Sequence, residues 1–363
     1  MEKSAVSVNT EGLFRPFQVK NLVLRNRFVM APMTRQHSVN NVPNQDNVDY
    51  YVRRAQGEVG LILTEGTSIG RPGSQHQRDV PQIYQVAALD GWKRVVDAVH
   101  GHGGKIAPQL WHVGLQTPGP DGHQVPGVAL EGPGTMTADD IQKTISAFTQ
   151  AALDAQNLGF DAIELHGAHG YLIDQFFSRV TNTRNDEYGG KTIGDRNRFA
   201  VDLLKSIRRA VGPEMVVILR LSQWKSDDYD FQIARTPQEM EEWLLPLAEA
   251  GADVLHMSAR RFWVPEFEGS DLGVAGWAKK ITGLPIIAVG SVGLSGEVMG
   301  AFAGESSTAT GLTELVRRYE RGDFDLVAVG RSLLQDPDWV KKIHEHRDEE
   351  LGNFTPASFG KYY

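Results

Sequence analysis

Cysteine is absent from the 363 residues. Disulfides, thiolate nucleophiles, cysteine-ligated zinc and conventional iron–sulfur clusters are therefore excluded, and any electron transfer must run through an organic cofactor or a metal site without cysteine. No apolar run reaches the ~18 residues that a membrane-spanning helix needs. The N-terminal MEKSAVSVNTEGLF has neither an apolar signal core nor a cleavage site, so a cytoplasmic location is expected. Long Lys/Arg blocks are also missing and the formal charge is −8, which argues against a nucleic-acid surface while leaving room for a local basic pocket for phosphate. The ELHGAH stretch is not HExxH and offers no third zinc ligand, and Asp227, Asp228 and Asp230 lack the calcium-loop pattern and its terminal glutamate. No metal site is expected.

What is present is a globular composition, 41% hydrophobic and 23% charged, on a chain long enough for one large α/β barrel or two ordinary domains. Residues 12–26 mix short apolar and polar runs and read as an extended cap or hairpin. RFVMAP at 27–32 is the first core strand, and short apolar strands follow at 59–66, 103–110, 160–165, 215–221, 252–258, 284–290 and 324–330. Between them lie helical patterns at 44–54, 84–99, from 137 through Ala152 and on toward the strand at 160, 196–210, 236–250, 271–282 and 311–321, and Asp336–Pro337 starts another. Thr137 with Asp140 is an imperfect helix-start box, while Thr236, Pro237 and Glu239 make a cleaner one. Residues 114–136 are rich in Gly and Pro and read as an insertion loop with room for a small hairpin; the tail FTPASFGKYY reads as irregular.

Eight strands, most followed by a helix, are accommodated most economically by a single domain over 1–363: a (β/α)8 TIM barrel with an N-terminal cap and an excursion after strand 3. A doubly wound sheet is the alternative, but the GxGxxG turn expected after its first strand is missing.

The segment 160–190 releases His166, His169 and Tyr171 just after a strand. Two imidazoles and a phenol can hydrogen-bond a developing oxyanion and supply a proton; they can equally be a satisfied structural pair beside a core tyrosine. A barrel shifts the balance to function, because Thr34, Gln109, His166, His169, Tyr171 and Arg220 then all lie at strand carboxyl ends, where barrel sites are built. AVGSVG and AVGRS place Gly290, Ser291, Gly293, Gly330 and Arg331 where backbone amides and one guanidinium can hold a phosphate. Trp111, Tyr171, Phe262, Trp263 and Phe267 can line a pocket for a flat molecule, and the last three can equally pack under the loops.

Taken together, NRFVMAPMTR, LTEG, APQLWHVG, ELHGAHGYLIDQF, NTRNDEYGG, the RLS strand end and AVGR resemble the old yellow enzyme family of flavin-dependent ene-reductases over nearly the full chain. The resemblance implies noncovalent FMN, reduced by NADPH or NADH, that passes hydride to an activated alkene such as an enone, with nitro compounds or quinones as further acceptors. It places Pro32, Met33, Thr34, Gly66, Gln109, Arg220, Gly290, Ser291, Gly293, Gly330 and Arg331 around the cofactor. His166 and His169 match the pair that binds the substrate oxygen, Tyr171 the proton donor, Trp111 a pocket wall, and Thr34 the residue that tunes the flavin. RLSQW replaces the common RLSP, LLQDP follows Gly330–Arg331 where many relatives carry an aromatic turn, and the 260–269 loop RRFWVPEFEG fits neither main branch. An FMN-dependent amine-oxidising or demethylating enzyme, a noncatalytic flavin-binding sensor and a non-flavin aldolase or isomerase remain as alternatives. The sequence leaves monomer and homo-oligomer both open.

Overall fold

The computed structural model describes residues 8–117 and 128–362. Strands β1 (Phe17–Val19) and β2 (Leu22–Leu24) form an antiparallel hairpin. Eight further strands follow: β3 (Phe28–Met30), β4 (Leu61–Ser68), β5 (Ile106–Trp111), β6 (Ala162–His169), β7 (Val216–Lys225), β8 (Val254–Ser258), β9 (Ile286–Val289) and β10 (Leu326–Val329). They pair in chain order, all in parallel, and β10 closes onto β3. The helices are α1 (Gln45–Gln56), α2 (Val86–Gly101), α3 (Ala138–Leu158), α4 (Leu172–Phe177), α5 (Ile193–Arg196), α6 (Arg198–Val211), α7 (Pro237–Glu249), α8 (Val274–Thr282), α9 (Val298–Phe302), α10 (Thr313–Arg321), α11 (Arg331–Gln335) and α12 (Trp339–His344). The expected eightfold barrel with an N-terminal cap is the observed architecture.

Period-two alternation divides the barrel strands between two cores. One set of side chains, including Ile106, Leu110, Ile163, Leu165, Val217, Leu219, Leu255 and Met257, joins the helices in the large core. The other, including Ala107, Ala162, Val216, Ile218, Val254 and Ile287, fills the barrel interior together with Leu22 and Leu24 of the hairpin. Residues 12–26 thus include a hairpin that closes one end of the barrel with buried leucines, each contributing roughly 1.5–3 kcal/mol. The open end carries the site.

Local chemistry explains several boundaries. The Thr137–Asp140 box closes in both directions, each side chain accepting the other's backbone N–H, at 3.1 and 3.0 Å. At Thr236 the hydroxyl accepts Glu239 N–H at 3.1 Å, but the Glu239 carboxylate accepts from Arg235 instead. Strands β6 and β7 outrun their apolar cores, to His169 and Lys225 rather than 165 and 221. Their ladder continues through polar residues, pairing His166 with Arg220 and His169 with Lys225; the first three line the cavity, whereas Lys225 turns to the buried Asp174 carboxylate. The short helices α4, α5, α9 and α11 were not anticipated, being too short to show a helical period. Helix α12 starts after Asp338, because Asp336 is used in a turn in which its carboxylate accepts Asp338 N–H at 3.0 Å. Residues 114–117 and 128–136 of the excursion contain no strand, so the small hairpin expected within 114–136 is not formed by them; residues 118–127 lie outside the described residues.

Candidate active site

Moving up the barrel interior in steps of two, the inward positions change from aliphatic to polar. Above Ala107, Ala162 and Val254 come Gln109, Glu164 and His256, all buried. Glu164 accepts Gln109 Nε2–H at 2.8 Å and meets His256 Nδ1 at 2.6 Å. Two positions further along each strand stand Trp111, His166 and Ser258, with Arg220 following Ile218 on β7. These four border a cavity of about 420 Å³, within the ~300–1,000 Å³ usual for cofactor and ligand sites.

His166, His169 and Tyr171 converge there. The two imidazole rings lie 5.2 Å apart edge to face, and His166 lies 4.8 Å from the Tyr171 ring, which in turn meets Trp111 at 5.0 Å. His169 closes β6 in a left-handed conformation, φ +64°. Its N–H is held by Ser222 Oγ at 2.9 Å, Ser258 Oγ lies 2.8 Å from its Nε2, and its ring stacks on Trp224 at 4.4 Å. A strained backbone held by three contacts fixes where this imidazole points. Burial, and then the Arg220 charge, push both histidines well below their ordinary pKa, so each is neutral near pH 7 and has one N–H to donate. Burial pushes the Tyr171 phenol up to about 12, so it stays protonated. The arrangement is one of neutral donors around a fixed cation, suited to an anion forming on a substrate oxygen.

The loops after β9 and β10 form the cavity's other side. Gly290 has φ +151°, and a Cβ there would stand 2.6 Å from the Ala259 carbonyl oxygen. Arg331 is buried, and its guanidinium donates to Glu297 O at 3.1 Å, Ser307 Oγ at 3.0 Å, Ser291 Oγ at 3.4 Å and Gly296 O. What it offers an anion is therefore mainly its charge.

Of the residues expected to surround a cofactor, Pro32, Met33, Thr34, Gln109, Arg220, Gly290, Ser291, Gly330 and Arg331 line this single cavity, together with Trp111, His166, His169 and Tyr171. Gly66 and Gly293 do not. Gly66 serves from behind: a Cβ on it would sit 2.6 Å from Trp111 Cε3, so its hydrogen lets the indole lie against β4. Gly293 backs onto Trp339. Phe262, Trp263 and Phe267 pack into the outer core instead of lining the pocket, and from the 260–269 loop it is Arg260 that reaches the cavity, tied to Glu297 at 2.7 and 3.0 Å. The motifs did not disclose Gln77, Trp224, Ser258, Met299, Phe302 or Phe359, which also line it. Phe359 belongs to the tail read as irregular. It stacks on Phe302 at 5.2 Å, and Arg35 anchors it by donating to its carbonyl at 3.0 Å. Only an inward alternation carried beyond the apolar part of β8 would have flagged Ser258.

The residues present fit a flat heteroaromatic group carrying a phosphate. Trp111 Nε1, His166 Nδ1 and Arg220 Nε, on residues that line the cavity, are buried without a hydrogen-bond partner. The glycine cradle with Arg331 lies across the same cavity. No helix among the described residues is long and apolar enough to cross a membrane.

The NADH:flavin oxidoreductase / NADH oxidase family model matches residues 12–350. A curated relative, the NADH oxidase of Thermoanaerobacter brockii, is 34% identical over 96% of this chain, although this chain spans only 53% of its length. 12-Oxophytodienoate reductase 7 of Oryza sativa subsp. japonica is 33% identical over 91% of this chain and 87% of its own. Among solved structures, morphinone reductase in complex with tetrahydroNAD matches with a TM-score of 0.77 and 27% identity, over 96% of this chain and 94% of that one. Neutral donors converging on a closed parallel barrel, and a family match over nearly the whole chain, lead to one conclusion: this chain belongs to the NADH:flavin oxidoreductase / NADH oxidase family, the old yellow enzymes that its motifs resemble.

Proposed function

We propose that this chain is an FMN-dependent NAD(P)H oxidoreductase that reduces the activated C=C bond of enones and related electron-poor alkenes. The observation that carries the reading is the convergence of His166, His169, Tyr171 and Arg220 on one cavity whose far side is a glycine cradle. Gln109 and Arg220 would hold the ring system of FMN, with Thr34 beside it, and Ser291, the Gly290 backbone and the Arg331 charge would hold its phosphate. Bound FMN would supply the redox chemistry, accepting hydride from a reduced nicotinamide and returning it to the alkene. The morphinone reductase complex with tetrahydroNAD supports a nicotinamide as the reductant.

The protein's own part is to bind and polarise. His166 and His169 donate to the carbonyl or nitro oxygen, and their hydrogen bonds strengthen as charge collects on it. Arg220 adds a permanent positive charge. Tyr171 delivers its phenolic proton to the substrate carbon next to the activating group, and the Trp111 and Trp224 rings keep the cavity walls apolar.

The test is the visible spectrum of the purified protein before and after anaerobic NADPH or NADH, followed by a cyclic enone. A bound flavin band should bleach with the nicotinamide and return with the enone. Bound flavin with neither nicotinamide oxidation nor enone turnover would reject the assignment.

A further inference from the structure

At the cavity floor Gln109 is tied to two buried polar residues, Glu164 and His256, that the proposed chemistry does not use. Glu164 and His256 are fully buried and Gln109 is 3% exposed. Below them the interior is aliphatic, so packing alone gives no reason for a carboxylate here, and a buried carboxylate is costly unless it is paired and hydrogen-bonded. Glu164 is satisfied on both oxygens. Oε1 takes Gln109 Nε2–H at 2.8 Å and Oε2 stands 2.6 Å from His256 Nδ1.

The chemistry of the acceptor decides how both neighbours are oriented. An ionised carboxylate can only accept, so Gln109 must turn its NH₂ toward Glu164 and His256 must carry its proton on Nδ1. An amide locked in this way has no freedom to exchange its ends. Its oxygen, Oε1, is left as the acceptor on a residue that lines the cavity. Without Glu164 the amide could turn over and present N–H groups instead.

We propose that Glu164 is a positioning residue for the cofactor site: by fixing the Gln109 amide it makes the cavity floor an acceptor for an imide N–H of a flat heterocycle. His256 completes the device by holding the other carboxylate oxygen, so that Glu164 cannot swing away from Gln109. This inference rests on the FMN reading, in which the flavin pyrimidine edge supplies that N–H.

The test measures FMN binding to the apoprotein by quenching of flavin fluorescence, as a double-mutant cycle of Glu164→Gln and Gln109→Leu. Glu164→Gln keeps the volume but can donate as well as accept, which removes the orientation rule. It should weaken FMN binding about tenfold when Gln109 is present, the scale of one well-placed hydrogen bond, and less than about twofold in the Gln109→Leu background. Glu164→Asp keeps the charge and shortens the reach; run through the same cycle, it should show the same dependence on Gln109, and it stands in if Glu164→Gln does not fold. An unchanged Kd, or equal loss in both backgrounds, would overturn the proposal, because a purely structural carboxylate would act regardless of Gln109. Failure of the wild-type apoprotein to bind FMN would instead reject the cofactor reading itself.

Discussion

Replacing Tyr171 by phenylalanine isolates the proton-donor role, since it deletes one hydroxyl and leaves the ring contacts with Trp111 and His166 at 5.0 and 4.8 Å. Burial holds the phenol at about 12. At pH 8 about one molecule in ~10⁴ is then ionised, against about one in ~10² for an ordinary phenol, so the group is a standing donor over the working range. Losing a positioned general acid costs about 10²- to 10⁴-fold in the step that uses it, or ~2.7–5.5 kcal/mol of barrier. Anaerobic stopped-flow absorbance follows the two half-reactions separately. Reoxidation by a weakly activated cyclic enone should slow by that factor, whereas flavin bleaching by NADPH or NADH should change by less than about threefold. The wild-type reoxidation rate should also be flat from about pH 6 to about pH 10, because the donor titrates near 12 and both histidines titrate well below their ordinary range. Equal loss in both half-reactions would refute the role. So would a wild-type profile that breaks at the ordinary phenol pKa.

Two further outcomes test the surroundings. Gly290→Ala forces a methyl group to 2.6 Å from the Ala259 carbonyl at φ +151°, and should cost about 1–3 kcal/mol of stability in denaturant titration and weaken FMN binding; unchanged values would mean that the turn is not constrained as described. Burial raises the Glu65 carboxyl to about 7, so its proton is bound more tightly in the folded than in the unfolded chain and wild-type stability falls as pH rises from about 4.5 to about 7. Glu65→Gln lacks that titration and should gain about 3 kcal/mol relative to wild type across the window, seen as diverging denaturation midpoints; parallel curves would contradict it.

How much of this was legible in the sequence depends on how local the signal was. The Thr137 and Thr236 helix starts lie within four residues and were readable. So were the apolar cores of the strands. The ends of β6 and β7 were not, because cavity-facing polar residues interrupt hydrophobicity without interrupting the backbone ladder. Gln77 reaches the cavity from a loop, Phe302 from the end of α9 and Phe359 from the tail, and no spacing rule links them.

The sequence by itself determined the order of the barrel strands and of the longer helices between them, the exclusion of cysteine chemistry, and the set of proton-handling residues beside strand ends, since all of these follow from residue type and short-range period. Only the tertiary structure decided which of those residues share a cavity and in what state. Barrel closure stacks Gln109, Glu164 and His256 beneath Trp111, His166 and Ser258, removes them from water, and so makes the histidines neutral and the phenol a donor. Burial and the field of Arg220 are properties of the assembled layer and belong to no single stretch of chain.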